Sequence, residues 1–555
     1  MTDLLNQPPN LAMLAGAVVI DELVALGVSE IVLCPGSRSA PLAYAAWAGD
    51  QAGRLRLWVR TDERAAAYFA LGLAKASGRA VAVVTTSGTA VANLAPALLE
   101  ARHAGLPLLA CTADRPASLV GTGANQTTDQ LALLAPVALS TIRIASTEAV
   151  PAAWRQAVRR AVVTAEGRLS RQPGPVHVNV ELTPPLVGDP GPLPLGGPFR
   201  LDPPPGPRPV RLDPGPRTVV VAGDLPPQTG RDWAARAAQA GLPLLAEPSS
   251  NARTGPAAIR FARLLVPELG RSIERVVLVG RPTLSRALLG LLARADLEII
   301  AVAPGATWVD PGWAVSRVVP DLTLAVGDPA WLAAWQRADR RLGESADPLI
   351  RDSPELNGPS LAAIVNASLS AEENLVLGPS QPIRDADLAP ISDQPPLVYA
   401  NRGQAGIDGV IATALGLAAA SGRPTTALLG DLTFLHDLTA LVVPELERRL
   451  DLRLVVADDN GGSIFNGLEY GAGPARLGPW ADAFERCFAV PSGQDLARIG
   501  SALGCQVESV DSPQSLRQAL DRPSAGLRLI VASLRRDNRR SIDAQLTKLV
   551  RPAAA

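Results

Sequence analysis

Two short polar clusters hold the residue types from which a cation–phosphate site can be built. Gly430-Asp431 ends one apolar run, Thr426 to Leu429, and Asp458-Asp459-Asn460-Gly461-Gly462 ends the next, Leu452 to Ala457. Asp459 stands 28 positions after Asp431. Carboxylate, amide and backbone oxygens are the hard ligands magnesium takes, and phosphate oxygens and water commonly complete its octahedron. Gly461 and Gly462 let the backbone approach a phosphate or turn a carbonyl toward the metal. Taken singly, Gly-Asp ends a strand and Asp-Asn-Gly-Gly makes a turn. Together, at this spacing, they read as a metal–diphosphate site.

For both clusters to face one ligand, the two runs must be neighbouring strands. The stretch between them reads as a helix carrying Leu438, Leu441, Val442, Leu446 and Leu450, which makes a βαβ crossover with parallel strands. Both clusters then fall at the carboxyl ends of adjacent strands, where open α/β sheets bind ligands. The chain also repeats itself. Ala70 to Ala74 and Ser77-Gly78-Arg79 recur as Ala414 to Ala418 and Ser421-Gly422-Arg423, 344 residues later in both cases. The register holds without a gap for a run long enough to predict two copies of one α/β unit. They differ where chemistry would sit. Ser87-Gly88 stands where the second copy has Asp431-Leu432, and Glu63 where it has Ile407.

The predicted fold class is α/β, as three consecutive open parallel-sheet domains: 1–185, 218–345 and 360–555, joined by linkers at 186–217 and 346–359. In the first, Ile31 to Leu33, Leu57 to Val59, Val81 to Val84 and Leu108 to Cys111 read as strands, with a helix from Ala90 to Ala101. Thr183 to Arg217 is proline-dense and reads as a semi-rigid extended linker. Val219 to Val221, Leu244 to Ala246, Val276 to Val279 and Glu298 to Val302 read as strands of the middle segment. Gly343 to Ser360 is polar and reads as the second linker. Arg535 to Arg540 reads as exposed surface leading into a final helix.

Composition narrows the class. Formal net charge is -1 and charged residues are 19%, so there is no basic excess for nucleic acid. Lysine occurs only at 75 and 548, outside the polar clusters, which speaks against Schiff-base chemistry. Histidines at 103, 177 and 436 and cysteines at 34, 111, 487 and 505 are too scattered for zinc. Unpaired thiols and the lack of a signal peptide predict the cytoplasm, and no apolar run is long enough to span a membrane.

Gly430-Asp431 followed by Asp459-Asn460-Gly461 resembles the magnesium–diphosphate motif of thiamine diphosphate (ThDP) enzymes. Within them, GDLTFLHDLTAL, NGGSIF, CPGSRSAPL, GANQTTDQ and NRGQAGIDG are similar to the menaquinone-pathway 2-succinyl-5-enolpyruvyl-6-hydroxy-3-cyclohexene-1-carboxylate (SEPHCHC) synthases, the MenD family. The resemblance implies pyrimidine-binding, central and diphosphate-binding domains in that order. It implies ThDP and Mg2+ (or Mn2+) as cofactors, with Asp431, Asp459 and the carbonyl of Gly461 on the metal and Asn460 as the alternative ligand. Gly430, Leu432, Gly462 and Ile464 would join the cofactor site. Glu63, in TDERAAAYFALGLA, would be the catalytic carboxylate on the aminopyrimidine, and Ile407 the apolar wedge that bends the cofactor.

Substrate contacts implied by the same resemblance are Ser37, Arg38, Arg115, Gln126, Arg286, Arg384, Arg402, Ile464 and Phe465. Two positions depart from the family pattern: Asp459 replaces the usual Asn, and Ser285 replaces a basic neighbour of Arg286. The implied activity is that of a transferase that decarboxylates 2-oxoglutarate and adds the remaining fragment to isochorismate. The implied assembly is a homodimer or dimer of dimers with active sites at the subunit interface. Two alternatives remain. One is another ThDP-dependent 2-oxoacid decarboxylase or an acetolactate-synthase-like carboligase; Arg38, Arg115 and Arg402 speak against pyruvate, which has one carboxylate. The other is a non-catalytic ThDP-fold subunit, which would have no reason to hold both Glu63 and Asp431.

Overall fold

The computed structural model describes residues 9–471, 478, 480–523 and 525–550. Residues 1–8 and 551–555, the outer ends of the first and last predicted domains, lie outside these. The chain forms two compact units. One comprises the residues up to Pro205 with Ile411–Gly422 and Asp437–Arg449; the other comprises Gly206–Val410, Arg423–His436 and the residues from Leu450 on.

The first unit is built on a six-stranded parallel sheet of β1 (Glu30–Leu33), β2 (Arg56–Val59), β3 (Val81–Thr85), β4 (Leu108–Asp114), β5 (Ser140–Ala145) and β6 (Val176–Glu181), in the order β2-β1-β3-β4-β6-β5. β1, β3, β4 and β6 are buried along their whole length, as the inner strands of a parallel sheet are, and β6 carries the polar His177, Asn179 and Glu181 into that interior. The predicted helix from Ala90 to Ala101 is in fact two, Thr89–Ala92 and Ala95–Ala104, because Pro96 cannot continue a helix through its own N–H and instead starts the second one.

The helix Glu63–Ser77 is capped by Asp62, which accepts the N–H groups of Arg64 and Ala65 at 2.9 and 3.2 Å. It packs on the stretch Ile411–Gly422 of the same unit, glycine against glycine. A Cβ built on Gly72 would lie 3.0 Å from Gly416 Cα, and one built on Gly416 would lie 3.0 Å from Gly72 Cα. These glycines occupy equivalent positions of the sequence repeat.

In the second unit a small sheet pairs β7 (Val210–Arg211) with β13 (Leu322–Thr323). A five-stranded parallel sheet holds β8 (Thr218–Ala222), β9 (Leu244–Ala246), β10 (Arg275–Val279), β11 (Glu298–Val302) and β12 (Val315–Val319), in the order β12-β11-β10-β8-β9. A second six-stranded parallel sheet holds β14 (Asn374–Leu377), β15 (Leu397–Tyr399), β16 (Thr425–Gly430), β17 (Leu452–Asp458), β18 (Gln506–Val510) and β19 (Leu527–Ser533). Its order, β15-β14-β16-β17-β19-β18, repeats that of the first sheet strand for strand. β1 and β4 coincide end for end with β14 and β17 at the repeat offset. The α/β class and the duplicated unit are therefore borne out.

Three expectations are corrected. The stretch from Leu438 to Leu450 is not a helix: after Asp431–His436 there is one 3-10 turn, Leu438–Leu441, and then irregular chain. Pro444 has no N–H for a continuing ladder, and Leu446 is 98% exposed, so its place in the apolar period buries nothing. The linker expected from Gly343 begins later, because the helix Pro329–Ala346 runs through its first residues. The tail is not all surface: Arg539 opens the last helix, Arg539–Val550, and is buried on one face of it with Ile542 and Leu546.

Candidate active site

In the second unit the sheet order reverses between β14 and β16, the topological switch point at which such sheets open a ligand crevice. β16 ends at Gly430, paired with Ala457 of β17, so Asp431 and Asp459 emerge from adjacent strand ends. Both line one cleft with Ile407, Gly430, Leu432, Gly461, Gly462, Ile464 and Phe465. The loop after β14, Pro379-Ser380-Gln381, forms another wall.

Asp431 Oδ2 accepts the Gly461 N–H at 2.6 Å, and Oδ1 accepts the Leu432 N–H at 2.7 Å. Burial pushes the Asp431 carboxyl up to about 6. Asp459 is pushed up to about 7 by burial, with the Asp431 charge adding to it and a Ser463 hydrogen bond opposing it. Two dehydrated carboxylates lining one cleft are a donor set that fits a divalent metal. Among the described residues no group of three or more His, Cys, Asp or Glu could hold a metal. Further ligands here would be amide, hydroxyl, backbone, phosphate or water oxygens, the hard donors magnesium prefers.

The glycines are fixed by space. Gly461 has φ +134°, and a Cβ on it would overlap the Ala489 carbonyl; a Cβ on Gly462 would fall 2.6 Å from the Phe465 ring. Asn460 is not among the cleft-lining residues: it is exposed, and its side-chain oxygen accepts the Gly493 N–H at 3.3 Å.

A second groove adjoins this cleft and shares Gln381, Ile464 and Arg539 with it. Arg286, Arg384 and Arg263 line it. Burial lowers the Arg384 pKa, and the charges of Arg402, Arg263 and Arg286 push the same way, so four guanidinium groups share one neighbourhood. Arg402 itself is buried, with Nε and Nη2 donating to Thr283 Oγ1 at 2.9 and 2.6 Å.

Several wall residues were not foreseen. Arg539 pairs with the buried carboxylate of Asp385, and both line the cleft. A signal existed for Arg539, which precedes Ile542 and Leu546 by three and seven positions on one helical face. None existed for Arg263.

The first unit gathers a second set at the strand ends β1, β3 and β4. Arg38, in the loop after β1, donates to the Leu182 carbonyl at 2.8 Å, and burial and the Arg115 charge lower its pKa. Arg115 donates from Nη1 to Ser87 Oγ at 2.5 Å and to the Gln126 carbonyl at 2.8 Å. Gln126, at φ +55°, donates back to the Ser87 carbonyl at 2.8 Å. Ser37 is exposed in the same loop as Arg38. Beneath them lies a buried network: Gln130 accepts the Gly88 N–H and donates to Asn179, which donates to Asp114 at 2.9 Å. Glu63 is the half-buried first residue of its helix, and its charge, after burial, raises the Cys34 thiol pKa.

Residues 13–133 match the family described as thiamine pyrophosphate enzyme, N-terminal TPP binding domain. Several relatives that match over nearly the whole chain carry the name 2-succinyl-5-enolpyruvyl-6-hydroxy-3-cyclohexene-1-carboxylate synthase. The protein of that name from Kineococcus radiotolerans is 43% identical over 97% of this chain and 98% of its own. That from Nocardioides sp. is 43% identical over 98% of each, and that from Mycobacterium avium 39% identical over 95% of this chain and 98% of its own. Identity of this order, over an alignment that spans nearly the whole chain, means that the chain belongs to the SEPHCHC synthase family of thiamine diphosphate enzymes.

Proposed function

We propose that the protein is a SEPHCHC synthase, which decarboxylates 2-oxoglutarate and joins the remaining four-carbon unit to isochorismate by 1,4-addition, releasing carbon dioxide. The observation that carries this is a cleft with two dehydrated carboxylates at the switch point of a parallel sheet, running into a groove lined by arginines. ThDP, when bound, supplies the decarboxylating and carbon–carbon bond-forming chemistry. Asp431, Asp459 and the Gly461 carbonyl would hold Mg2+ or Mn2+ against its diphosphate. A cation there would offset the burial that raises both carboxyl pKa values. Gly430, Leu432, Gly462 and Ile464 would border the cofactor, and Ile407 would support its bend.

Glu63 would hold a proton at the aminopyrimidine. Both substrates are dianions near neutral pH, and arginine forks bind carboxylates bidentately. Arg286, Arg384 and Arg402 in one unit, and Arg38, Arg115, Ser37 and Gln126 in the other, would hold those carboxylates, with Ile464 and Phe465 as apolar walls. The mutual repulsion of Arg384, Arg263, Arg286 and Arg402 favours an anion between them. The reading extends to a homodimer or dimer of dimers whose sites draw Glu63 and Asp431 from different subunits, and to the cytoplasm. Four free cysteines, three of them buried, support a reducing compartment. Among the described residues no helix is long and apolar enough to cross a membrane.

The test is purified protein with ThDP, magnesium, 2-oxoglutarate and isochorismate, following loss of isochorismate absorbance with each component left out in turn. Turnover that needs all four is expected. Equal carbon dioxide release from pyruvate in place of 2-oxoglutarate would overturn the assignment.

A further inference from the structure

Glu247 follows β9 and is 2% exposed, yet it pairs with no cation within ion-pair distance among the described residues. A carboxylate buried this deeply must be satisfied by hydrogen bonds or lose its charge. Its partners are backbone N–H groups. Oε1 accepts from Leu284 at 2.8 Å and from Thr283 and Ser285 at 3.2 Å, and Oε2 accepts from Thr283 at 3.0 Å. Burial pushes its pKa up to about 7, while these N–H groups and the charge of Arg402 work the other way.

The three residues it gathers form the turn after β10. Ser285 caps the helix Arg286–Leu291, accepting the Leu288 N–H at 3.4 Å. The turn has little freedom on its other side, because a Cβ on Gly223 would overlap the Arg281–Pro282 peptide. Thr283, the first of the three, receives two N–H donors of Arg402 on one hydroxyl oxygen. Of the charges that bear on Arg384 in the groove, Arg402 weighs most. One carboxylate thus fixes a turn, the turn fixes a hydroxyl, and the hydroxyl fixes a guanidinium beside the carboxylate-binding arginines.

We propose that Glu247 is a positioning residue for substrate-carboxylate binding: by holding the Thr283–Ser285 turn it sets Thr283 Oγ1, and through it the placement of Arg402. This rests on the reading of Arg384 and Arg402 as substrate-binding residues. A bidentate fork is useful only if its orientation is fixed, and supporting hydrogen bonds supply that orientation.

The experiment uses the full chain with ThDP and magnesium, and measures kcat and KM for both substrates, ThDP affinity by fluorescence titration, and the thermal midpoint. The variants are Glu247→Gln, Thr283→Val, Arg402→Ala and the Thr283→Val/Arg402→Ala pair. Glu247→Gln removes the charge and puts an amide N–H against donors; Thr283→Val removes the acceptor and leaves the turn alone. Both are expected to raise KM for the same one of the two substrates about tenfold or more, the size of a lost hydrogen bond to a charged group. ThDP affinity should stay at the parent value, and the double variant should be no worse than Arg402→Ala.

If Arg402→Ala raises KM while Thr283→Val leaves both KM values unchanged, the proposal is overturned and the pocket reading stands. If Arg402→Ala also leaves both unchanged, the pocket reading itself fails and takes the proposal with it. Should Glu247→Gln not fold, Thr283→Val decides, since the path from Glu247 to Arg402 runs through that hydroxyl.

Discussion

Gly72→Ala should destabilise the protein, although helix propensity alone says the opposite. In an unobstructed helix, replacing Gly by Ala gains about 1 kcal/mol. At Gly72 the new Cβ would sit 2.9 Å from the Thr413 carbonyl carbon and 3.0 Å from Gly416 Cα, and closer still to the Thr413 oxygen. All are backbone atoms, which no rotamer change can move aside. Carbon atoms rest about 3.5–4.0 Å apart, so the two helices would have to part by roughly 0.5–1 Å, and a gap of that size forfeits a quarter to a half of each facing contact. Overpacking of this kind costs about 1–3 kcal/mol, which outweighs the propensity gain. Gly416→Ala meets the mirror-image obstacle, with Leu73 N at 2.9 Å and Gly72 Cα at 3.0 Å. Because either Cβ forces the same separation, the double variant should lose less than the sum of the two singles. Gly290, with nothing within 4 Å of its Cβ, is the control, and Gly290→Ala should be neutral or stabilising. Urea and thermal unfolding followed by tryptophan fluorescence would measure all four. A Gly72→Ala protein as stable as the parent, or strictly additive losses, would refute the close-approach argument.

Glu63→Gln should lower kcat by about 100-fold or more, the usual share of a positioned acid or base, while ThDP still binds in a fluorescence titration; turnover at the parent rate would remove Glu63 from the chemistry. Burial lowers the His177 pKa to about 4 from the ordinary 6.5, so the folded state keeps it neutral while the unfolded chain takes a proton. The stability this represents is full above pH 6.5 and lost as pH falls toward 4, about 3 kcal/mol in all. His177→Gln should therefore flatten the pH dependence of the urea midpoint over that window, and parallel curves for the two proteins would contradict this. Arg539→Met leaves the buried Asp385 carboxylate without its cation in the cleft wall, and should cost about 3 kcal/mol in unfolding measurements and weaken ThDP retention; a variant as stable as the parent would show the pair to be idle.

What the sequence made legible follows from which interactions are local. Strands buried on both faces need mostly apolar residues, so Val81 to Val84 and Leu452 to Ala457 were visible as runs, the latter despite Arg453, and the polar residues after Ala457 marked the cleft. The duplication was visible because ALGLA stands in each copy, and the close approach of Gly72 to Gly416 leaves room only for its glycine at both positions. The stretch from Leu438 to Leu450 misled because leucine spacing reports only an opportunity for burial, and Pro444 and the bare Leu446 show that the opportunity was not taken.

Other residues were invisible for a different reason. Asp385 finds Arg539 across 154 positions, and Glu247 finds the Thr283–Ser285 turn 36 to 38 positions away. Each belongs to a common residue type whose charged or turn-forming partner lies in a distant segment, so no window along the chain distinguishes it from a solvated side chain. The cleft is therefore readable at the strand ends, where backbone geometry dictates composition. It is unreadable one layer behind, where a side chain's role depends on which distant segment the sheet order brings beside it. The Glu247–Thr283–Arg402 path belongs to that hidden layer, which is why a change that leaves every cleft-lining residue in place should still register as a change in KM.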